Sequence, residues 1–162
     1  MPEFSELITV MGGTQGFRHN YGTDPKGRFV TVVEVGYLDL QAVIEAGEDM
    51  CQKYIELNVM YEEYMNIVLH KQTVDQGYLA ARVDISCCSK MQLLQFTLPC
   101  LSLLKRVLHG TGHYPHSADT IIYCGTGSVG LMAWNIARPY ITHRTKKKMH
   151  VIGTINMVSH MV

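Results

Sequence analysis

Three groups of residues could do chemistry in this chain: a histidine cluster, a pair of adjacent carboxylates and one glycine-rich run. His109, His113 and His116 share a short Gly/His/Pro loop. Three imidazoles can hold a catalytic zinc, but productive spacing sets two of them on one helical turn with the third supplied by the fold. Only Asp119 lies near enough in sequence to orient them, so they read as loop histidines without a metal. Glu62 and Glu63 are neighbours on a helical pattern and therefore point to different sides, which is a poor arrangement for paired acid–base work. Gly125-Thr-Gly127-Ser-Val-Gly130 has the GxGxxG spacing, after a strand pattern and before a helix pattern. Such a turn brings backbone N–H groups close to a pyrophosphate. Against that reading, no acid follows Asp119 to hold a ribose, Pro139 cuts the helix short, and two β–α units come before the motif. Lys146, Lys147 and Lys148 could take a 2′-phosphate, which keeps an NADP-linked oxidoreductase as a third choice. GxSxG, HExxH and GxxxxGK[ST] are absent. The expectation is a protein that is not an enzyme and carries no metal or cofactor.

Those residues must be positioned by a chain of 162 residues, 47% hydrophobic and 17% charged, with 14 basic and 14 acidic side chains. That suits one domain over residues 1–162 with a real core, and it lacks the high net charge and low hydrophobicity of disorder. A neutral balance argues against a nucleic-acid partner, which usually needs a basic excess. The balance is uneven along the chain. Every acid lies at or before Asp119, leaving that part at about −5, whereas Arg138, Arg144, Lys146, Lys147 and Lys148 give the remainder +5. Such a split suits one face to phosphate or to an acidic membrane surface. Five cysteines without a CxxC spacing read as reduced thiols of a cytoplasmic protein. The N-terminus is acidic, without the basic region of a signal peptide. Met91–Leu104 is uncharged but too short and too polar to span a bilayer.

Periodicity supplies the elements. A turn over Thr23–Arg28 leads into a β-branched strand, Phe29–Val35. Asp39 reads as the N-cap of a helix over Leu40–Ala46. A long helix follows over about Glu48–His70, with Tyr54, Leu57, Tyr61, Tyr64 and Val68 at three- and four-residue spacing. Tyr78–Ile85 is a second strand. Ser89 caps a helix over about Lys90–His109 that is apolar nearly all round and interrupted by Pro99, as suits a helix lining an apolar cavity. Asp119–Cys124 is a third strand, Ser128–Ile136 a short helix, Ile141–Lys147 another, and Met149–Ile152 a fourth strand. The first 22 residues read as loop with at most one short element. Alternating strands and helices with long connections define an α/β fold with a mixed, largely parallel sheet. Ten methionines add soft, adaptable apolar surface. Together with the basic terminal third, they point to a cavity for an amphipathic ligand.

Four segments in order resemble the CRAL-TRIO lipid-transfer family. Asp24-Pro-Lys-Gly-Arg-Phe-Val30 with Gly36 and Asp39-Leu40 resembles the family's entry motif, and Tyr61-Glu62 its helical aromatic–Glu pair. Val83-Asp84-Ile85 resembles its central strand. Tyr114-Pro115, Ile121-Ile122-Tyr123, Ala133-Trp134-Asn135, Arg138-Pro139-Tyr140, Thr145–Lys148 and Val151-Ile152-Gly153 resemble its last stretch. The likeness is strongest over residues 23–153.

The resemblance implies a sheet flooring a hydrophobic pocket covered by helices, and a carrier of phosphatidylinositol, phosphatidylcholine or another hydrophobic ligand. It makes Gly127–Tyr140 a mobile gate helix, with Leu94, Leu98, Leu101, Leu131, Trp134 and Tyr140 as pocket and gate. It places Lys148, His116 and Ser117 at a headgroup site. The family's Glu-Arg after Tyr-Pro is His116-Ser117 here, which removes an acid and a guanidinium from inositol recognition. The family's N-terminal helical lobe and closing strand and helix are not matched, so the chain reads as a trimmed piece or a reduced relative. The implied partners are a lipid, a transient membrane surface at the cytoplasmic side, and a regulatory protein. A scaffold of the same fold without a ligand is the alternative.

Overall fold

The computed structural model describes residues 4–111, 118–141 and 143–153. A short helix, α1 (Ser5–Val10), comes before a hairpin of β1 (His19–Thr23) and β2 (Phe29–Glu34). The turn between them is built by Asp24, whose carboxylate accepts the backbone N–H groups of Lys26 and Arg28, both at 2.9 Å. Gly27 supplies the left-handed residue, φ +76°. β1 is exposed along its whole length and polar, which is why its sequence carries no strand pattern.

Beyond β2, Asp39 caps α2 (Leu40–Glu45) as expected, accepting the N–H of Ala42 at 2.9 Å. The long helix α3 runs from Glu48 to Gln76, past the expected His70. Lys71–Gln76 contains no breaker, and Gly77 at φ +71° ends the helix in the left-handed region. The next strand is accordingly later and shorter than expected: β3 is Arg82–Cys87. The expected helix over Lys90–His109 is two pieces, a 3-10 turn over Leu93–Phe96 and α4 (Leu98–Thr111). Pro99 sits in the first turn of α4, where a missing N–H costs nothing. Gln92, not Ser89, caps the first piece. β4 (Ala118–Thr126), α5 (Ser128–Ala137), α6 (His143–Lys146) and β5 (Met149–Gly153) complete the described chain.

The five strands lie in the order β1-β2-β3-β4-β5, with β1 antiparallel and the other neighbours parallel. Each parallel step is a β–helix–β crossover to the adjacent strand. Successive crossovers of one hand, stepping in one direction, put their helices on one side of the sheet. The contacts agree: Phe29 packs with Met65 and Leu69 of α3, and Tyr123 of β4 meets Trp134 of α5 with ring centroids 6.3 Å apart. Register and alternation place Phe29, Thr31, Arg82, Asp84, Ser86, Ile121 and Tyr123 on this helix side. Val30, Val32, Val83, Ile85 and Ile122 share the other face. The main core lies among helices α1 to α4, where Leu7, Met11, Val43, Leu57, Cys100 and Leu103 are buried. A smaller cluster of Met65, Leu69 and Ala80 joins α3 to the sheet.

Candidate functional site

Between those two clusters the helix side of the sheet is charged. Glu62 of α3 points inward, opposite to Glu63, and is held by two guanidinium groups. Arg82 meets it with both terminal nitrogens at 2.9 and 3.0 Å, and Arg18 donates to it at 2.7 Å. Arg82 also donates through Nε to Asp84, 3.2 Å to Oδ2, and the Thr31 hydroxyl donates to Asp84 Oδ1 at 2.6 Å. Arg18 lies over the Tyr61 ring, 5.2 Å from its centroid, and Phe17 meets that ring edge-on. Burial pushes the Glu62 carboxyl up, but Arg82 and Arg18 outweigh it and hold its pKa below the ordinary glutamate value. Burial likewise opposes the charge on Arg82, and Glu62 and Asp84 overcome it, raising its pKa. Two cations balance two anions, so the network is neutral and internally satisfied. Sequence reading missed Arg18 and Arg82. A strand arginine flanked by apolar residues, in a chain with an inward helical glutamate, is the pattern that could have found them.

The expected gate is α5 with the 3-10 turn Arg138–Tyr140 after it. Trp134 is half-buried against Tyr123, whereas Leu131, Met132 and Ile136 are exposed. Arg138, Arg144 and Lys147 are exposed directly beyond them. The glycine run now has a structural account. Gly125 has φ +67° and sits against Ser89, where an added Cβ would come within 3.2 Å of the Ser89 nitrogen. At Gly130 an added Cβ would meet Thr126 at 3.2 Å. These glycines let α5 leave the sheet closely packed, with no nucleotide required.

The other expected site residues are placed as follows. Leu98 is 83% exposed, Leu94 is exposed as well, and Leu101 is half-buried on α4. Lys148 donates through Nζ to the Ala118 carbonyl at 2.6 Å. It borders a hollow of about 10 Å³ with Ala118, Ile121, Arg144 and Thr145, room for no more than a water. A wider hollow of about 460 Å³, lined by Gln15, His19, Asn20, Tyr21, Glu34 and Tyr37, is polar and open to solvent. His113, His116 and Ser117 lie outside the described residues. Among the described residues no group of three His, Cys, Asp or Glu side chains could hold a metal ion. The cysteines are thiols, and burial pushes Cys87 and Cys88 up to about 11. No helix among the described residues is long and apolar enough to cross a membrane.

A family model settles the class of this mixed sheet with its leading antiparallel hairpin and one-sided crossovers. The CRAL/TRIO domain model matches residues 14–162, and the chain belongs to that family. It is similar to "Phosphatidylinositol/phosphatidylcholine transfer protein SFH12" of Arabidopsis thaliana, 23% identical over a match taking in 83% of this chain and 25% of that protein. The chain thus spans about a quarter of the length of this curated relative. Among solved structures it resembles the crystal structure of Sfh5, with a TM-score of 0.53 at 13% identity, over 91% of this chain and 53% of that one. That likeness establishes the fold. The mixed, largely parallel sheet read from the sequence is the one observed.

Proposed function

We propose that this chain binds a phospholipid or another amphipathic lipid, performs no chemistry on it, and exchanges it between cytoplasmic membrane surfaces or hands it to a partner protein. The observation that carries this reading is α5, a helix whose Leu131, Met132 and Ile136 face solvent and which runs directly into Arg138, Arg144 and Lys147. Exposed apolar side chains beside cations suit an anionic bilayer surface. Family membership and the name of the Arabidopsis relative support the ligand class.

α5 packs on Tyr123 through Trp134, and lipid enters when α5 leaves the sheet. Trp134 and Tyr140 are the gate residues, Leu94, Leu98 and Leu101 the apolar wall, and Lys148, His116 and Ser117 the headgroup contacts. Each buried methylene contributes about 0.8 kcal/mol, but the bilayer offers the same, so exchange is close to neutral overall. A carrier needs that balance in order to release its cargo. Native mass spectrometry of the freshly purified protein, with lipid extraction, tests the reading. A stoichiometric lipid adduct that disappears in Leu131→Asp or Trp134→Asp, with helical content unchanged, supports it. A bare mass after incubation with mixed liposomes overturns it.

One observation favours a second reading. The Arg18–Glu62–Arg82–Asp84 network occupies the helix side of the sheet and is fully satisfied within the protein. A ligandless scaffold that recruits a regulatory protein would keep such a closed floor, and the bare mass is the result it requires.

A further inference from the structure

We propose that Cys87 and Cys124 are a redox site, a dithiol pair that closes reversibly into a cross-strand disulfide beside the point where the chain leaves the sheet for α5. The two residues are in register on the parallel neighbours β3 and β4, and their sulfurs stand 3.5 Å apart. Neighbouring strands lie about 4.8 Å apart, inside the range of about 4.4–6.8 Å between Cα atoms that a disulfide bridges. Rotation about the two Cα–Cβ bonds therefore carries the sulfurs to the bonding distance of about 2.05 Å with both strands in place. The Ser86 carbonyl, 3.7 Å from the Cys124 sulfur, holds that thiol beside its partner. The other thiols are engaged elsewhere. Cys88 packs beneath α5, its Cβ 3.7 Å from where an added Cβ on Gly130 would stand. Cys51 meets the Val43 carbonyl at 3.8 Å and Cys100 the Gln41 side chain at 3.7 Å, both in the helical core.

Cys87 is half-buried and Cys124 buried, so an oxidant meets Cys87 first. The co-reactant is a small disulfide, R–S–S–R. The Cys87 thiolate attacks one of its sulfurs and expels RS⁻, and the Cys124 thiolate then attacks the Cys87 sulfur and expels the second RS⁻. The two protons leave the protein thiols and end on the two RS⁻. One S–S bond is broken and one formed, the protein dithiol being oxidised by two electrons and the small disulfide reduced by two. Burial and the neighbouring Cys124 thiol raise the pKa of Cys87, so thiolate is scarce near neutral pH and the exchange is slow there. The bond would reach beyond the two strands. The Cys88 N–H donates to the Cys124 carbonyl at 2.8 Å, and Gly125 abuts Ser89, so tying Cys87 to Cys124 fixes the root of α5. Both sulfurs belong to the sheet, and the site does not depend on a bound lipid.

The test is incubation of the whole chain with oxidised glutathione, without lipid or reductant, in mildly alkaline buffer. Its five thiols should fall to three with no glutathione retained, and a peptide map under non-reducing conditions should join Cys87 to Cys124. Dithiothreitol should restore all the thiols. Cys87→Ser, at a half-buried position, should form no internal bond at the same glutathione concentration. Amide hydrogen exchange over Gly125–Gly130 should slow severalfold in the oxidised protein and recover on reduction. A full thiol count after oxidation overturns the proposal, as does glutathione held on Cys87 without closure, a map that joins any other pair, or closure seen only in urea. Exchange that is unchanged by the bond overturns the tie to α5. If Cys87→Ser does not fold, the wild-type peptide map decides alone.

Discussion

At the scale of single residues, the side chain most committed to the fold is Glu62. Among the described residues it is the acid that holds both Arg18 and Arg82, and its side chain is 12% exposed. Truncating one partner of a buried ion pair leaves the other charge uncompensated, at about 3 kcal/mol. Glu62→Gln is therefore expected to lower the urea midpoint strongly, because Arg18 then faces a neutral amide. The pH dependence follows from the direction of the shift. Its folded pKa lies below the unfolded value near 4.3, so its contribution is complete above that value and is lost as pH falls through the lower folded one. Wild type should lose stability on acidification in this range, and Glu62→Gln should lose less. Parallel acid limbs for the two proteins would contradict the assignment. Part of this was legible beforehand, since adjacent Glu62 and Glu63 had to face different ways. The two arginines that complete the network were not, because a register 20 residues away decides which strand residue meets Glu62.

Among the elements, those with a local cause read correctly. Asp39 announces α2, the β-branched run announces β2, and Asp24 with Gly27 announces the turn before it. The misreadings have physical reasons as well. β1 is held by backbone pairing to β2 while every side chain faces solvent, so its sequence His-Asn-Tyr-Gly-Thr has no reason to alternate. The helix read over Lys90–His109 divides because Gln95 turns its amide to the carbonyls of Val35 and Leu38, at 3.0 and 2.7 Å, and fixes a separate turn. The candidate gate was legible as a short apolar helix after a glycine run, but its contact with Tyr123 needed the sheet register. The same region yields a prediction. At Gly36 an added Cβ would stand 2.5 Å from the Lys90 carbonyl carbon and 2.7 Å from its Cα, both backbone atoms that cannot yield. Gly36→Ala should therefore destabilise by about 2 kcal/mol, in the range of overpacked sites. Thermal unfolding of the variant measures this directly, and a Tm equal to wild type would show that the two segments can part without cost.

For the molecule as a whole, formal neutrality conceals a polar layout. All the acids lie in the part that builds the helical core and the first three strands, except Asp119 at the start of β4, while α5, α6 and their connection are cationic or apolar. The helices cluster on one side of the sheet, so this segment forms one local surface instead of being scattered. A bilayer contact through it would combine two contributions that respond differently to salt. Charges at an exposed surface are screened over a Debye length of about 8 Å at physiological ionic strength, whereas insertion of Leu131, Met132 and Ile136 is strengthened or unchanged. Sedimentation with vesicles should therefore show preference for phosphatidylserine-containing over pure phosphatidylcholine membranes, and that preference should fall as salt rises. Arg144→Glu with Lys147→Glu should abolish the preference and leave a weak, salt-insensitive residue of binding. Leu131→Asp should do the reverse, retaining a salt-sensitive attraction without stable attachment. If both variants behave as wild type, membrane contact is made elsewhere on the molecule.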